Sequence, residues 1–152
     1  MTATASPRRR APARPARPSL LGLRLPLANP LELHAALRAG LPPSAIPALK
    51  AATGLTDAEI AEALQVSERT FTRLKSSRAQ RLAPDLSDRV YAVASLYALA
   101  DEVLGDHATA LEWMSAPQFG LAESAPRALL STEPGRQQVR MLLQRIEHGF
   151  LA

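Results

Sequence analysis

The chain has no cysteine, so disulfides and thiolate chemistry are excluded, and a reducing cytoplasm is a fitting compartment. Aromatic residues make up only 4% of the 152 residues, against 47% hydrophobic overall, so any core is built from Leu, Ala, Val and Ile. No apolar run approaches the roughly 20 residues of a membrane span. Alternating β-branched stretches are missing, which points to an all-α fold. Signatures of catalysis are missing too. There is no G-x-S-x-G, no P-loop and no G-x-G-x-x-G. His34, His107 and His148 form no H-x-x-x-H or H-E-x-x-H pair. Asp101 and Glu102 adjoin on a helix and so point apart. Trp113 and Met114 near Tyr97 suit a core better than a ligand box. Nothing here specifies an enzyme, a metal site or a cofactor.

Acid is missing from residues 1–28, which carry Arg8, Arg9, Arg10, Arg14, Arg17 and Arg24. The other residues hold 12 bases and 14 acids, so the net +4 arises in this stretch. Its prolines at 7, 12, 15, 18 and 26 exclude a helix, and it reads as a disordered basic arm. Such an arm adds salt-dependent, sequence-blind affinity for phosphates, or serves as a plain linker.

What is present is concentrated in T-D-A-E-I-A-E-A-L-Q-V-S-E-R-T-F-T-R-L-K, residues 56–75. Thr56 and Glu59 have capping-box spacing. Ile60, Ala61 and Leu64 share a face, Val66 plugs a turn, and Ser67 is an N-cap for a second helix with Phe71 and Leu74 inward. Two short helices at such a turn make a helix-turn-helix, whose second helix enters the DNA major groove. Its outward residues are Glu68, Arg69, Thr72, Arg73 and Ser76, and Ser67 and Thr70 join the candidate DNA contacts. Lys75, Arg78 and Arg81 follow as phosphate contacts. Arg69 and Arg73, four apart, suit guanine edges. The only acid between Ser67 and Pro84 is Glu68. Gln65 stands at the turn where glycine is common; glutamine can take the left-handed conformation there only at a cost of about 1–2 kcal/mol, a detail that favours an ordinary helical hairpin with a solvated arginine face.

The flanking pattern divides the chain into the arm (1–28), a helix-turn-helix domain (29–84) and a C-terminal helical domain (85–152). Asn29-Pro30 reads as an N-cap with first-turn proline, and Gly40 and Gly54 as stops. A long helix runs to Leu104 with Val90, Val93, Leu96, Tyr97, Ala100 and Val103 on its apolar stripe. Asp106 caps the next helix and Pro117 stops it. A loop covers 117–125, and a short helix reaches Leu130. Thr132 caps a last helix to about His148 with Val139, Leu142, Leu143 and Ile146 inward.

From about Gly40 onward the chain resembles the MbcA/ParS/Xre-type antitoxins, partners of RES-domain toxins. The matching residues are G-L-P at 40–42, S-E-R-T-F at 67–71, S-D-R at 87–89, and Gly105, Asp106, Ala110 and Trp113, with Leu104 where the family has Phe. The most specific stretch is Pro126, Leu129, Leu130, Thr132, Gly135, Val139, Leu142, Leu143, Arg145, Ile146, Glu147 and Gly149, in the order P-x-x-L-L-x-T-x-x-G-x-x-x-V-x-x-L-L-x-R-I-E-x-G. The resemblance implies a non-catalytic, cofactor-free cytoplasmic antitoxin. Its helix-turn-helix would repress its own operon, commonly as a homodimer, and its rear half would bind a NAD-consuming RES toxin. The extreme end would block the toxin's cleft. Arg145, Glu147, His148, Gly149, Phe150, Leu151 and Ala152 are the expected toxin-binding residues, Phe150 and Leu151 serving as apolar anchors beside the terminal carboxylate. Two other readings remain: a stand-alone helix-turn-helix regulator with a C-terminal dimerisation or ligand-sensing domain, and an interaction protein that no longer binds DNA.

Overall fold

A computed structural model describes residues 20–149. Among them are seven α-helices and no strand. Residues 1–19 of the expected arm, and the expected toxin-binding residues Phe150, Leu151 and Ala152, lie outside the described residues.

Helix boundaries follow the capping chemistry closely. Helix α1 (Pro30–Ala39) starts with Asn29 accepting from the amides of Leu31 and Glu32, and Pro30 fills the first turn. Helix α2 (Ala45–Thr53) ends at a left-handed Gly54. Helix α3 (Asp57–Ala63) carries the full capping box: Thr56 Oγ1 accepts from the Glu59 amide, and the Glu59 carboxylate accepts from the Thr56 amide. Helix α4 (Glu68–Lys75) starts where Ser67 accepts from the Thr70 amide. Helix α5 (Pro84–Leu104) takes Pro84 into its own first turn, so this proline opens the long helix as well as closing the front half. Helix α6 (His107–Ser115) is capped by Asp106, and α7 (Glu133–Glu147) by Thr132. The expected short helix before Leu130 is a single 3-10 turn, Pro126–Leu129, and a second such turn, Phe119–Leu121, interrupts the expected loop.

Helix α5 is the spine. It packs against α1 and α2 of the front half and against α6 and α7 of the rear half. Val90, Val93, Leu96 and Ala100 are fully buried, as are Ile46, Leu49, Ile60, Leu64 and Phe71 in front and Met114, Val139 and Leu143 behind. All belong to one continuous core. Leu142 and Ile146, expected inward, are half-buried.

Residues 20–28, counted with the arm, are placed on this core. Leu20 is buried, and Leu21, Leu23, Leu25 and Leu27 pack against it. The density of arginine and proline obscured a leucine at nearly every second position, which is enough apolar surface to hold an extended segment.

Two close approaches lock the front half to the start of α5. The Leu82 amide donates to the Leu41 carbonyl, and the Leu41 amide donates to the buried Ser87 hydroxyl at 2.9 Å. Gly40, at φ 94°, fits because a Cβ there would lie 2.3 Å from the Leu82 carbonyl oxygen.

Candidate functional site

The two-helix unit at α3 and α4 presents one exposed polar face. Ser67, Glu68, Arg69, Thr72, Arg73, Lys75 and Arg78 are all exposed, and Thr70 is half-buried. The hydroxyls of Ser67 and Thr70 bond each other at 2.9 Å, so both are occupied with the helix cap. Arg69, Arg73 and Arg78 have no side-chain partner among the described residues. Beneath them Phe71 is fully buried and fixes the rotation of α4 about its axis.

Lys75 is placed differently. Its ammonium pairs with Asp57 and lies 5.5 Å from the centre of the Phe71 ring. Asp57 holds Lys50 with its other oxygen, so one carboxylate ties α2 and α4 to the start of α3. Hydrogen bonds from the two lysines hold the Asp57 carboxyl below the usual carboxylate range. Arg81, expected at phosphate, donates to the Gly40 carbonyl instead. Among the described residues of this face, the cations without an internal side-chain partner are Arg69, Arg73 and Arg78.

The turn between α3 and α4 contains Gln65 at φ 56°, so the glutamine does take the left-handed conformation. Its side chain donates to the Ser131 carbonyl, 66 residues away. The neighbouring Leu64 carbonyl accepts from Arg89 at 3.1 Å. Arg127 lies 3.5 Å from Glu59 across a shallow groove of about 330 Å³ lined by Glu62, Ala63, Ala125, Ala128 and Ser131. The Glu59 carboxyl is held low chiefly by the Thr56 amide, with Arg127 contributing. These contacts were not legible in sequence because they join segments far apart in the chain.

In the rear half, the residues of the last motif divide into two groups. Thr132 accepts from the Gly135 amide, and a Cβ at Gly135 would lie 2.1 Å from the Leu129 carbonyl oxygen. Pro126, Leu130, Val139 and Leu143 are buried. These positions build the domain. Arg145, Glu147, His148 and Gly149 are exposed, and the side chains of the first three have no partner among the described residues. Gly149, at φ 73°, turns the chain away from the helix. Arg136 was missed by sequence reasoning. It is buried, donates to the Leu130 carbonyl at 2.8 Å and pairs with Glu133 at 3.0 Å. Its spacing to Val139 and Leu143, three and seven residues on, carried the signal that it faces inward.

Among the described residues no group of three or more His, Asp or Glu could hold a metal ion.

Residues 32–95 match the model of the antitoxin Xre-like helix-turn-helix domain, and residues 99–149 match that of the antitoxin Xre/MbcA/ParS C-terminal toxin-binding domain. An antitoxin Xre of Yersinia enterocolitica is 31% identical over 129 residues, which covers 84% of this chain and 86% of that protein. The chain belongs to the Xre antitoxin family. Antitoxins named Xre from Pseudomonas putida and Photorhabdus laumondii are similar at 29% and 27% identity, covering 82% and 80% of this chain and 76% and 82% of theirs. This family is not catalytic; its helix-turn-helix domain implies DNA binding and its C-terminal domain implies a toxin partner. The first match ends inside α5 and the second begins inside it, in accord with a helix that serves both halves. No helix among the described residues is long and apolar enough to cross a membrane.

Proposed function

We propose that this antitoxin works in the cytoplasm, neutralises a RES-type, NAD-consuming toxin and represses its own operon. The toxin would be held by the exposed end of α7, with Arg145, Glu147 and His148 on the contact surface, and the segment after Gly149 would enter the toxin's cleft. The observation that carries the proposal is the division within the last motif. Its buried members build the domain, while the exposed Arg145 and Glu147 have no side-chain partner among the described residues, which supports recognition as their use. On the DNA side, Arg69 and Arg73 would reach base edges and Arg78 a phosphate, while Ser67, Glu68, Thr70 and Thr72 shape the contact face. Two copies would set paired α4 helices on half-sites about one DNA turn apart.

Co-expression with a RES-domain toxin tests the proposal. Cells should survive with the full chain and die when residues 149–152 are deleted. Survival with the deletion would show that another surface does the blocking. A mobility shift with the upstream region tests repression. Arg69→Ala with Arg73→Ala should abolish the shift and leave rescue from the toxin intact. Loss of rescue in that double variant would favour a reading in which both activities share one surface.

A further inference from the structure

The loop between α6 and α7 holds the most exposed large apolar side chain among the described residues of the rear domain. Phe119 is 85% exposed. A free loop would fold such a ring away, yet this loop is built to present it. Gln118 donates through its side chain to the carbonyls of Trp113 and Ala116, both at 3.1 Å. The Gln118 amide donates to the Ser124 carbonyl, and the Gln118 carbonyl accepts from Leu121 and Glu123. Leu121 is buried beneath as the anchor. Ala122 and Glu123 stand consecutively at φ 52° and 63°, a left-handed pair without glycine. Strain of this kind persists only where the surroundings enforce it, and it concentrates where a segment must hold one shape for binding.

The loop rests on α7. A Cβ on Gly120 would lie 3.0 Å from the Leu142 Cδ1, so glycine lets the backbone lie directly on that leucine. Met141, next to Leu142, is the second exposed large apolar residue of this domain among the described residues. Arg145 is four residues after Met141 and three after Leu142, so it shares their side of the helix. Phe119, next to Gly120, and Met141 and Arg145, on the side of Leu142, therefore flank the same loop–helix contact: an aromatic, two aliphatic groups and a guanidinium. Aromatic and Arg side chains held rigid are the usual energetic centres of protein interfaces, and rigidity spares the ordering cost on binding.

We propose that Phe119 is an anchor of the toxin interface. It would enter an apolar pocket on the toxin, with a toxin carboxylate meeting Arg145. The toxin is the favoured occupant because the whole patch lies within the segment that matches the toxin-binding domain. It is also continuous, along α7, with the Arg145–Gly149 end. A two-fold self-contact centred here would instead oppose like charges at Arg145. The inference rests on the proposed toxin binding but not on the segment after Gly149.

The test is titration of the purified full chain against a RES-domain toxin that it neutralises, carrying an inactivating substitution. Phe119→Ala should weaken binding by roughly 30-fold or more, as expected of an interface centre, with an unchanged melting temperature. Leu31→Ala, at an exposed leucine outside the domain, should change nothing. Phe119→Leu should recover part of the affinity. Binding by Phe119→Ala within two-fold of the parent would overturn the proposal while leaving toxin binding itself in place. A change of oligomeric state with unaltered toxin affinity would overturn it in favour of self-association. Absence of binding by the parent chain would remove the underlying functional reading and this surface with it.

Discussion

Single residues carry three distinct kinds of constraint in this chain. Gly40 is constrained by space and by conformation together, since it combines a positive φ with a Cβ position 2.3 Å from a carbonyl oxygen. Gly40→Ala should destabilise the fold by about 2 kcal/mol or more, whereas Gly54→Ala, where a Cβ meets nothing, should cost only the conformational part of about 1–2 kcal/mol. Chemical denaturation of the two variants side by side checks this. Ser87 is constrained by a partner. Ser87→Ala leaves the Leu41 amide buried and unsatisfied, with an expected loss of about 1–3 kcal/mol. Asp57 is constrained by charge. Asp57→Asn should release Lys75 toward DNA and steepen the dependence of log affinity on log salt by about 0.9 if one phosphate contact is gained. Surface pairs contribute little to stability, so the melting temperature of this variant should hardly move. An unchanged salt slope would mean that Lys75 stays away from phosphate with or without its carboxylate.

Elements were largely legible in the sequence because their ends are chemical. Asn29, Thr56, Ser67, Asp106 and Thr132 all cap as their residue types require, and Gly54, Gly105 and Gly149 all adopt positive φ. What stayed hidden is relational. Lys75 and Arg81 looked like phosphate ligands because charge is visible in a sequence, while the Asp57 carboxylate and the Gly40 carbonyl that claim them are brought up only by folding. The leucines at 20–27 were hidden for the same reason: burial depends on a partner surface that composition does not reveal. The caps also set the acid limit of the fold. Glu59 is held low by the Thr56 amide and Asp106 by the Thr109 amide. A carboxyl whose folded value lies below its unfolded one stabilises the fold above the unfolded value, and that contribution disappears as pH falls through the folded value. Stability should therefore be level from neutrality down to the ordinary carboxylate range near pH 4, then fall below it. Melting curves across that range would show it, and Thr56→Ala, at a cost of about 1 kcal/mol, should lower the plateau without moving the onset.

At the scale of the molecule, two binding activities are mounted on one core. The side chains proposed for DNA on α4 and for the toxin on α7 are different ones, so point changes on α4 should silence DNA binding and leave toxin capture intact. The supports are not separate. Helix α5 packs on both halves, and Gln65, Arg89 and Arg127 join the turn of the DNA-reading unit to α5 and to the segment leading into α7. A fragment ending near residue 84 should accordingly be unfolded, since Ile46, Leu49 and Phe71 lose the wall that buries them. Circular dichroism of that fragment beside the full chain would decide it. The shared spine also dictates how this antitoxin can be switched off. One backbone cut within Pro84–Leu104 should loosen the grip on DNA and on the toxin in the same event, with no second incision needed.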